Sequence, residues 1–239
     1  MKTLTIARRE LQAAFNSPVA YIVAVAYLVF TTVWVFFLNQ FFAQNEASLR
    51  IYFTIVPTVF IFLVPALTMR SWAEERRMGT LEVLLSLPFR EGEVVLGKFV
   101  GIFGLLLLVV VLSLPLPLFL SRMGVFDWGQ IAGQYLGVLL IGAAGISVGL
   151  FISALSTNQV AAFILTGLAL VALTLAGQLP EAVGLPSWLS AVLGYVSFGH
   201  HFDSFNRGII DSRDLLYFLL AIALFLFLNV RVLMVRKSS

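Results

Sequence analysis

Long uncharged stretches separated by short charged ones dominate the chain. No Asp, Glu, Lys or Arg occurs between Glu10 and Glu46, nor between Asp127 and Glu181. Apolar runs of about 20 residues have the length of a helix that crosses a bilayer, whereas membrane strands run about 10 residues and alternate. The pattern predicts six spans, at about 19–41, 51–69, 94–120, 131–155, 160–179 and 215–235. Ahead of them, in residues 1–17, Leu4, Ala7, Leu11 and Ala14 recur at helical spacing with Arg8, Arg9, Glu10 and Gln12 on other faces. That spacing predicts a short helix lying in the membrane interface; the alternative is a plain basic flank to the first span.

Prolines and small residues punctuate the spans. Pro18 suits a helix start, where its missing N–H would be unpaired anyway. Pro57 and Pro65 fall inside the second span, and a proline there frees a carbonyl and bends the helix. The bend is either passive or a hinge above the charged stretch that follows. Pro115 and Pro117 predict an early break in the third span, and Ser156-Thr157-Asn158-Gln159 predicts the turn between the fourth and fifth. In the fourth span Gly145, Gly149 and Ser153 are four apart, a face that lets a neighbouring helix approach closely. Ala182–Phe202 is also uncharged, but Gly184, Pro186, Gly194 and Gly199 interrupt it. It is expected to be a re-entrant or interfacial element on the outer side, before span six.

Composition turns this pattern into a class. The chain is 60% hydrophobic and 11% charged, with a mean hydropathy of +1.01. A soluble domain is about 45–50% apolar and about 25% charged. The expectation is an all-α integral membrane protein, one transmembrane domain over residues 1–239. The net charge of +3 reports topology rather than nucleic-acid binding, because the basic residues flank apolar runs. With six spans and both termini on the cytoplasmic side, eleven of the 15 Lys and Arg residues fall inside and Arg50, Arg122, Arg207 and Arg213 outside. Arg8, Arg9 and Glu10 precede an apolar run too long for a cleavable signal. With no Cys, disulfides are excluded.

The densest charge lies in Met69–Pro88. Glu74, Glu75, Arg76 and Arg77 form a mixed-sign cluster where a stop-transfer flank needs only basic residues. Gly79 interrupts the preceding helix, Thr80 can cap the next one, and Glu82 falls in its first turn. Leu81, Leu84, Leu85 and Pro88 follow i, i+3, i+4, i+7, which predicts a short amphipathic helix of about two turns. Mixed charge beside an apolar face suits protein docking. The alternative is a linker helix lying on the membrane.

Ala73–Pro88, followed by Gly97-Lys98, resembles the signature of ABC-2 type transporter permeases. Phe198–Phe218 is similar to the branch typified by the gliding-motility and nitrous-oxide-reductase-maturation permeases. The resemblance implies a six-helix subunit of the bacterial cytoplasmic membrane that works with a second copy of itself or a related permease. It implies two copies of a cytoplasmic ABC ATPase, which bind ATP and Mg, and no cofactor in this chain. It also implies an ATPase-coupling element at about Thr80–Pro88, with Glu74, Glu75, Arg76, Arg77, Gly79, Thr80, Glu82, Leu84 and Leu85 as coupling residues. Membrane lipid and an extracytoplasmic accessory protein complete the implied partners, and export is the implied direction. Apart from the resemblance, the chain has no G-x-x-x-x-G-K-[ST] run, so any ATP site is expected in a separate chain.

Two further groups of polar residues lie near the C-terminal end of the sequence. His200, His201 and Asp203 are of metal-ligating type, but adjacent histidines point apart on a helix, and packing or hydrogen bonding is the expected role. Asp203, Arg207, Asp211, Arg213 and Asp214 are expected to form a solvated outer cap to the last helix, starting at Asp211 or Ser212. An intramembrane enzyme would need a nucleophile or metal cluster, and none is evident in the spans. A membrane anchor that passes ATPase motion to an outer partner without carrying cargo stays open.

Overall fold

The computed structural model describes residues 2–39, 41, 48–80, 90–179, 184 and 186–237, which hold helices and turns and no strand. In chain order the helices are α1 (Lys2–Phe15), α2 (Pro18–Val33), α3 (Arg50–Thr54), α4 (Val56–Thr68), α5 (Ala73–Arg77), α6 (Glu91–Val111), α7 (Pro115–Leu120), α8 (Trp128–Leu155), α9 (Gln159–Leu175), α10 (Ser187–Val196), α11 (Phe198–Asn206) and α12 (Ser212–Lys237). Polar caps start the spans. Ser17 Oγ accepts from Val19 N at 3.3 Å, Asp127 Oδ1 from Gly129 N at 2.8 Å, and Asn158 Oδ1 from Ala161 N at 2.8 Å.

α8 is the axis of the molecule. Every residue from Ile141 to Leu150 is buried, and α4, α6, α9, α11 and α12 pack around it. A helix that is apolar all round and loses all its faces belongs in the interior. Its small residues set the spacing. Gly145 meets Val64 of α4, where an added Cβ would sit 3.5 Å from both methyls. At Gly149 an added Cβ would come within 2.8 Å of Thr68 Cβ, so no larger residue fits there.

The prolines act where expected, with details the sequence did not locate. Pro57 cannot donate to the Phe53 carbonyl, and the second span breaks at Ile55 into α3 and α4. Pro65 lies inside α4 without ending it. Pro115 cannot donate to the Val111 carbonyl; Leu114 N takes it at 3.1 Å, and α6 ends there. The first span, expected to reach Phe41, instead closes in a wide π turn over Trp34–Leu38. Asn39 stops it, with both its backbone N–H and its side-chain amide on the Trp34 carbonyl at 3.0 Å.

Among the described residues, five helical stretches are long and apolar enough to cross a membrane: Pro18–Leu38, Val56–Arg77, Glu91–Leu120, Trp128–Leu155 and Ser212–Lys237. The fifth expected span is the 17-residue α9. At about 1.5 Å per residue it is about 25 Å long, a few ångströms short of a hydrocarbon core of about 30 Å.

α1 lies against α6. Gly97 receives Ile6 and Gly101 receives Glu10, where an added Cβ at either position would fall 2.7 Å from the incoming side chain. Of the stretch expected to be re-entrant, α10 buries none of its side chains, whereas α11 buries Phe198, His201, Phe202 and Phe205.

Candidate functional site

The charged stretch begins where α4 ends. Ser71 N reaches back to the Thr68 carbonyl at 3.1 Å, the chain turns, and α5 follows with Glu74 and Glu75 in its first turn and Arg76 and Arg77 in its last. That order of charge matches the helix dipole. Ser153 of α8 holds the turn: its hydroxyl accepts from Trp72 N at 3.2 Å and Ala73 N at 3.4 Å and donates to the Met69 carbonyl at 3.3 Å. The stripe Gly145–Gly149–Ser153 therefore faces α4 and the start of α5.

Arg76 closes the other side. Its guanidinium donates to the carbonyls of Ala154 at 3.0 Å, Leu155 at 3.4 Å and Ser156 at 2.7 Å. These are the free carbonyls at the end of α8, which carries the negative end of its dipole. A cation there satisfies the orphan acceptors and fixes α5 to the central helix.

Beneath α5 lies a buried ammonium. Lys98 of α6 is 1% exposed. Its Nζ donates to Glu10 Oε1 at 2.7 Å, Glu75 Oε1 at 2.8 Å and the Ser71 carbonyl at 2.9 Å. All three of its donors are thus in use. It also sits 4.7 Å from the centre of the Trp72 ring, a cation–π distance. One ammonium joins α1, α5, α6 and the turn after α4. Two carboxylates face one cation, and Glu75 Oε2 has no partner among the described residues. Beside this cluster Arg70 pairs with Glu74 at 2.8 Å and donates to Ser17 Oγ at 2.7 Å, which adds the start of α2.

The four charges expected to form a docking surface are therefore divided. Glu74, Glu75 and Arg76 hold internal contacts, while Arg77, Met78, Gly79 and Thr80 are exposed. Gly79 has φ +69°, a left-handed conformation that costs other residues about 1–2 kcal/mol. Thr80 Oγ1 donates to the Glu75 carbonyl at 3.2 Å. Glu82, Leu84 and Leu85, and with them most of the expected coupling element, lie outside the described residues.

Sequence reasoning quoted Lys98 in the family signature and counted it as a topological charge, but did not name it as a site residue. Its signal was an ammonium inside a run that is otherwise uncharged from Val94 to Val111, a placement that requires a counter-charge.

The opposite end has a second polar cluster. His201 Nδ1 lies 2.6 Å from Asp214 Oδ1, its Nε2 lies 3.1 Å from the Tyr195 carbonyl, and its ring stacks on Tyr217 at 3.8 Å. Asp214 is thereby buried, which corrects the expectation that it belongs to a solvated cap. The start of α12 at Ser212 agrees with that expectation. His200 points to the exposed side, and Asp203 pairs with Arg207 and, at 3.8 Å, with Arg50. The two histidine rings meet edge to face at 5.5 Å, while the Asp203 carboxylate is taken up by arginines. Asn206 links this end to α3 through Thr54 Oγ1 at 2.8 Å and to α8 through Gln134 at 2.8 Å.

A family described as ABC-2 family transporter protein has a model that matches residues 9–231, which takes in both clusters. No curated protein matches the chain.

Proposed function

The chain belongs to the ABC-2 transporter family, and from that premise we propose that the junction around Lys98 carries force from a cytoplasmic ATPase into the membrane helices. The protein is a multi-pass membrane permease subunit of an ABC transporter. The finer reading has six spans, with α9 crossing fifth and α10 and α11 forming the outer element before α12. Both termini lie on the cytoplasmic side of a bacterial inner membrane. Two permeases, identical or related, meet two ATPase subunits, and cargo is exported.

One observation carries this reading. The exposed residues Arg77–Thr80 continue directly into residues 81–89, and α5 behind them is fixed to α8 by Arg76, to α6 by Glu75 on Lys98, and through Lys98 to Glu10 of α1. In this reading a push delivered at 80–88 moves α5, and α5, through those contacts, moves the central helix and α6 with it. ATP binding then shifts an inward-open population toward an outward-open one. Arg77 and Gly79 shape the outer contact, and Glu82, Leu84 and Leu85 are the residues proposed to touch the ATPase.

The test is a cross-linking experiment on the intact complex. A Leu84→Cys variant should form a bridge to the ATPase, while a Phe119→Cys variant, at the far end of the third span, should not. Absence of any bridge from positions 81–88 would remove the coupling assignment. Cargo movement into proteoliposomes would then separate a carrier from a subunit that only transmits motion.

A further inference from the structure

His201 is buried, and each nitrogen of its ring faces an oxygen. Nε2 lies 3.1 Å from the Tyr195 carbonyl of α10, and Nδ1 lies 2.6 Å from Asp214 Oδ1 of α12. A carbonyl only accepts, so Nε2 carries a hydrogen. A neutral ring has one hydrogen, and Nε2 has taken it. A further proton must therefore lie between Nδ1 and Oδ1, whether the imidazole or the carboxyl owns it. Turning the ring over would set carbons against both oxygens, so the hydrogen bonds fix the orientation that demands this proton.

The Nε2 bond lands on a helix end. α10 buries none of its side chains, and a helix leaves its last carbonyls without partners of its own. His201 takes the Tyr195 carbonyl, and the Tyr217 hydroxyl donates to that of Val196 at 2.6 Å. The next residue, Ser197, is fastened separately: its hydroxyl donates to the Thr174 carbonyl of α9 at 3.1 Å. The last turn of α10 can thus loosen at Tyr195 while α11 stays seated.

We infer that His201 is a proton-operated catch: with the shared proton in place it ties α10 to α11 and α12, and without that proton the last turn of α10 is freed. Loss of the proton leaves a neutral ring beside a carboxylate. The one remaining hydrogen goes to Nδ1, because a bond to a carboxylate is stronger than a bond to a carbonyl. Nε2 then turns a lone pair toward the Tyr195 carbonyl, and that bond is lost. Rising pH opens the catch and falling pH closes it. The surrounding ionisable groups have other engagements. On α11 Asp203 pairs with Arg207 and with Arg50 of α3. On α12 Arg213 is exposed, and Asp211 before it accepts from the Arg213 N–H. Tyr52 of α3 donates to Tyr27, and Tyr135 of α8 meets Ser113. The helix α9 has no ionisable side chain. Besides Asp214, that leaves the exposed His200 and the rings of Tyr195 and Tyr217 around His201. The catch works at the end of the molecule opposite Lys98, and its chemistry is independent of ATPase coupling.

With two histidines and no cysteine in the chain, the proton and the helix can each be followed singly. In the full-length His200→Gln variant, carrying isotope-labelled histidine in detergent, nuclear magnetic resonance should show Nε2 protonated at about pH 5. At about pH 9, beyond the usual imidazole range, it should show Nε2 bare and Nδ1 protonated. A nitroxide on Val192→Cys, exposed on α10, should narrow its paramagnetic resonance spectrum over the same rise. One on Leu220→Cys, exposed on α12, should not. In Asp214→Asn the amide donates to Nδ1, Nε2 keeps its hydrogen without a second proton, and the Val192 label should stay broad throughout. His201→Phe has no donor and should give a narrow spectrum throughout. Should it fail to fold, His201→Gln, whose amide donates at any pH, should stay broad. A neutral ring that keeps its hydrogen on Nε2 at high pH, a Val192 label indifferent to pH, or a pH response that survives in Asp214→Asn would overturn the proposal.

Discussion

Lys98 shows what a single ionised group does in this interior. Buried ion clusters contribute little net stability, because desolvation offsets attraction, but removing one partner strands the others. Lys98→Met leaves Glu10 and Glu75 without their cation and should cost about 3–5 kcal/mol in thermal unfolding of the detergent-solubilised protein. Adding Glu10→Gln and Glu75→Gln to Lys98→Met should recover most of that loss. Equal melting of the single and triple variants would show that the cluster does not hold α1, α5 and α6 together. Gly79 makes a different residue-scale demand. Nothing lies within 4 Å of an added Cβ, so only its positive φ requires glycine. Gly79→Asn, which tolerates that conformation, should retain more coupled ATP hydrolysis than Gly79→Ala. The two positions were unequally legible. Gly79 marked a turn from the sequence alone, but the partners of Lys98 lie 88 and 23 residues away, and no local pattern pairs them.

At the scale of helices, the α8–α4 contact is the tightest fit and the easiest to probe. Gly149→Leu forces a side chain into Thr68 and should destabilise by at least about 1–3 kcal/mol, the usual cost of overpacking. Thr68→Ala in the same chain should return part of it. If Thr68→Ala gives no relief, the clash lies elsewhere. The stripe itself could be read from spacing, since residues four apart share a helix face. Its partner could not, because several spans offered an equally apolar surface. Helix ends followed the same logic. Pro115 announced the break in the third span, but the π turn at Trp34–Leu38 depends on Asn39 finding the Trp34 carbonyl, which no periodicity encodes.

For the whole molecule, the charge asymmetry sets an orientation that labelling can check. Met78 and Met123 are both well exposed and lie at opposite ends of the spans. In intact cells a membrane-impermeant maleimide should label Met123→Cys, and should label Met78→Cys only after the membrane is opened. The reverse result would invert the assigned topology. The all-helical class and the five long apolar helices were legible because lipid imposes a length and a polarity on a crossing segment. The division of the charged stretch was not, since Glu75 and Arg76 differ from Arg77 only in what the folded chain brings to them.

The bond between Glu10 and Lys98 also orders events on the ribosome. Eighty-eight residues separate them, so at about 5–20 residues per second the acid is made about 4–18 s before its cation. During that interval Glu10 is without the ammonium that pairs it, and α1 lacks the α6 face that holds Ile6 and Glu10. Assembly of the Lys98 junction therefore waits until α6 has been made.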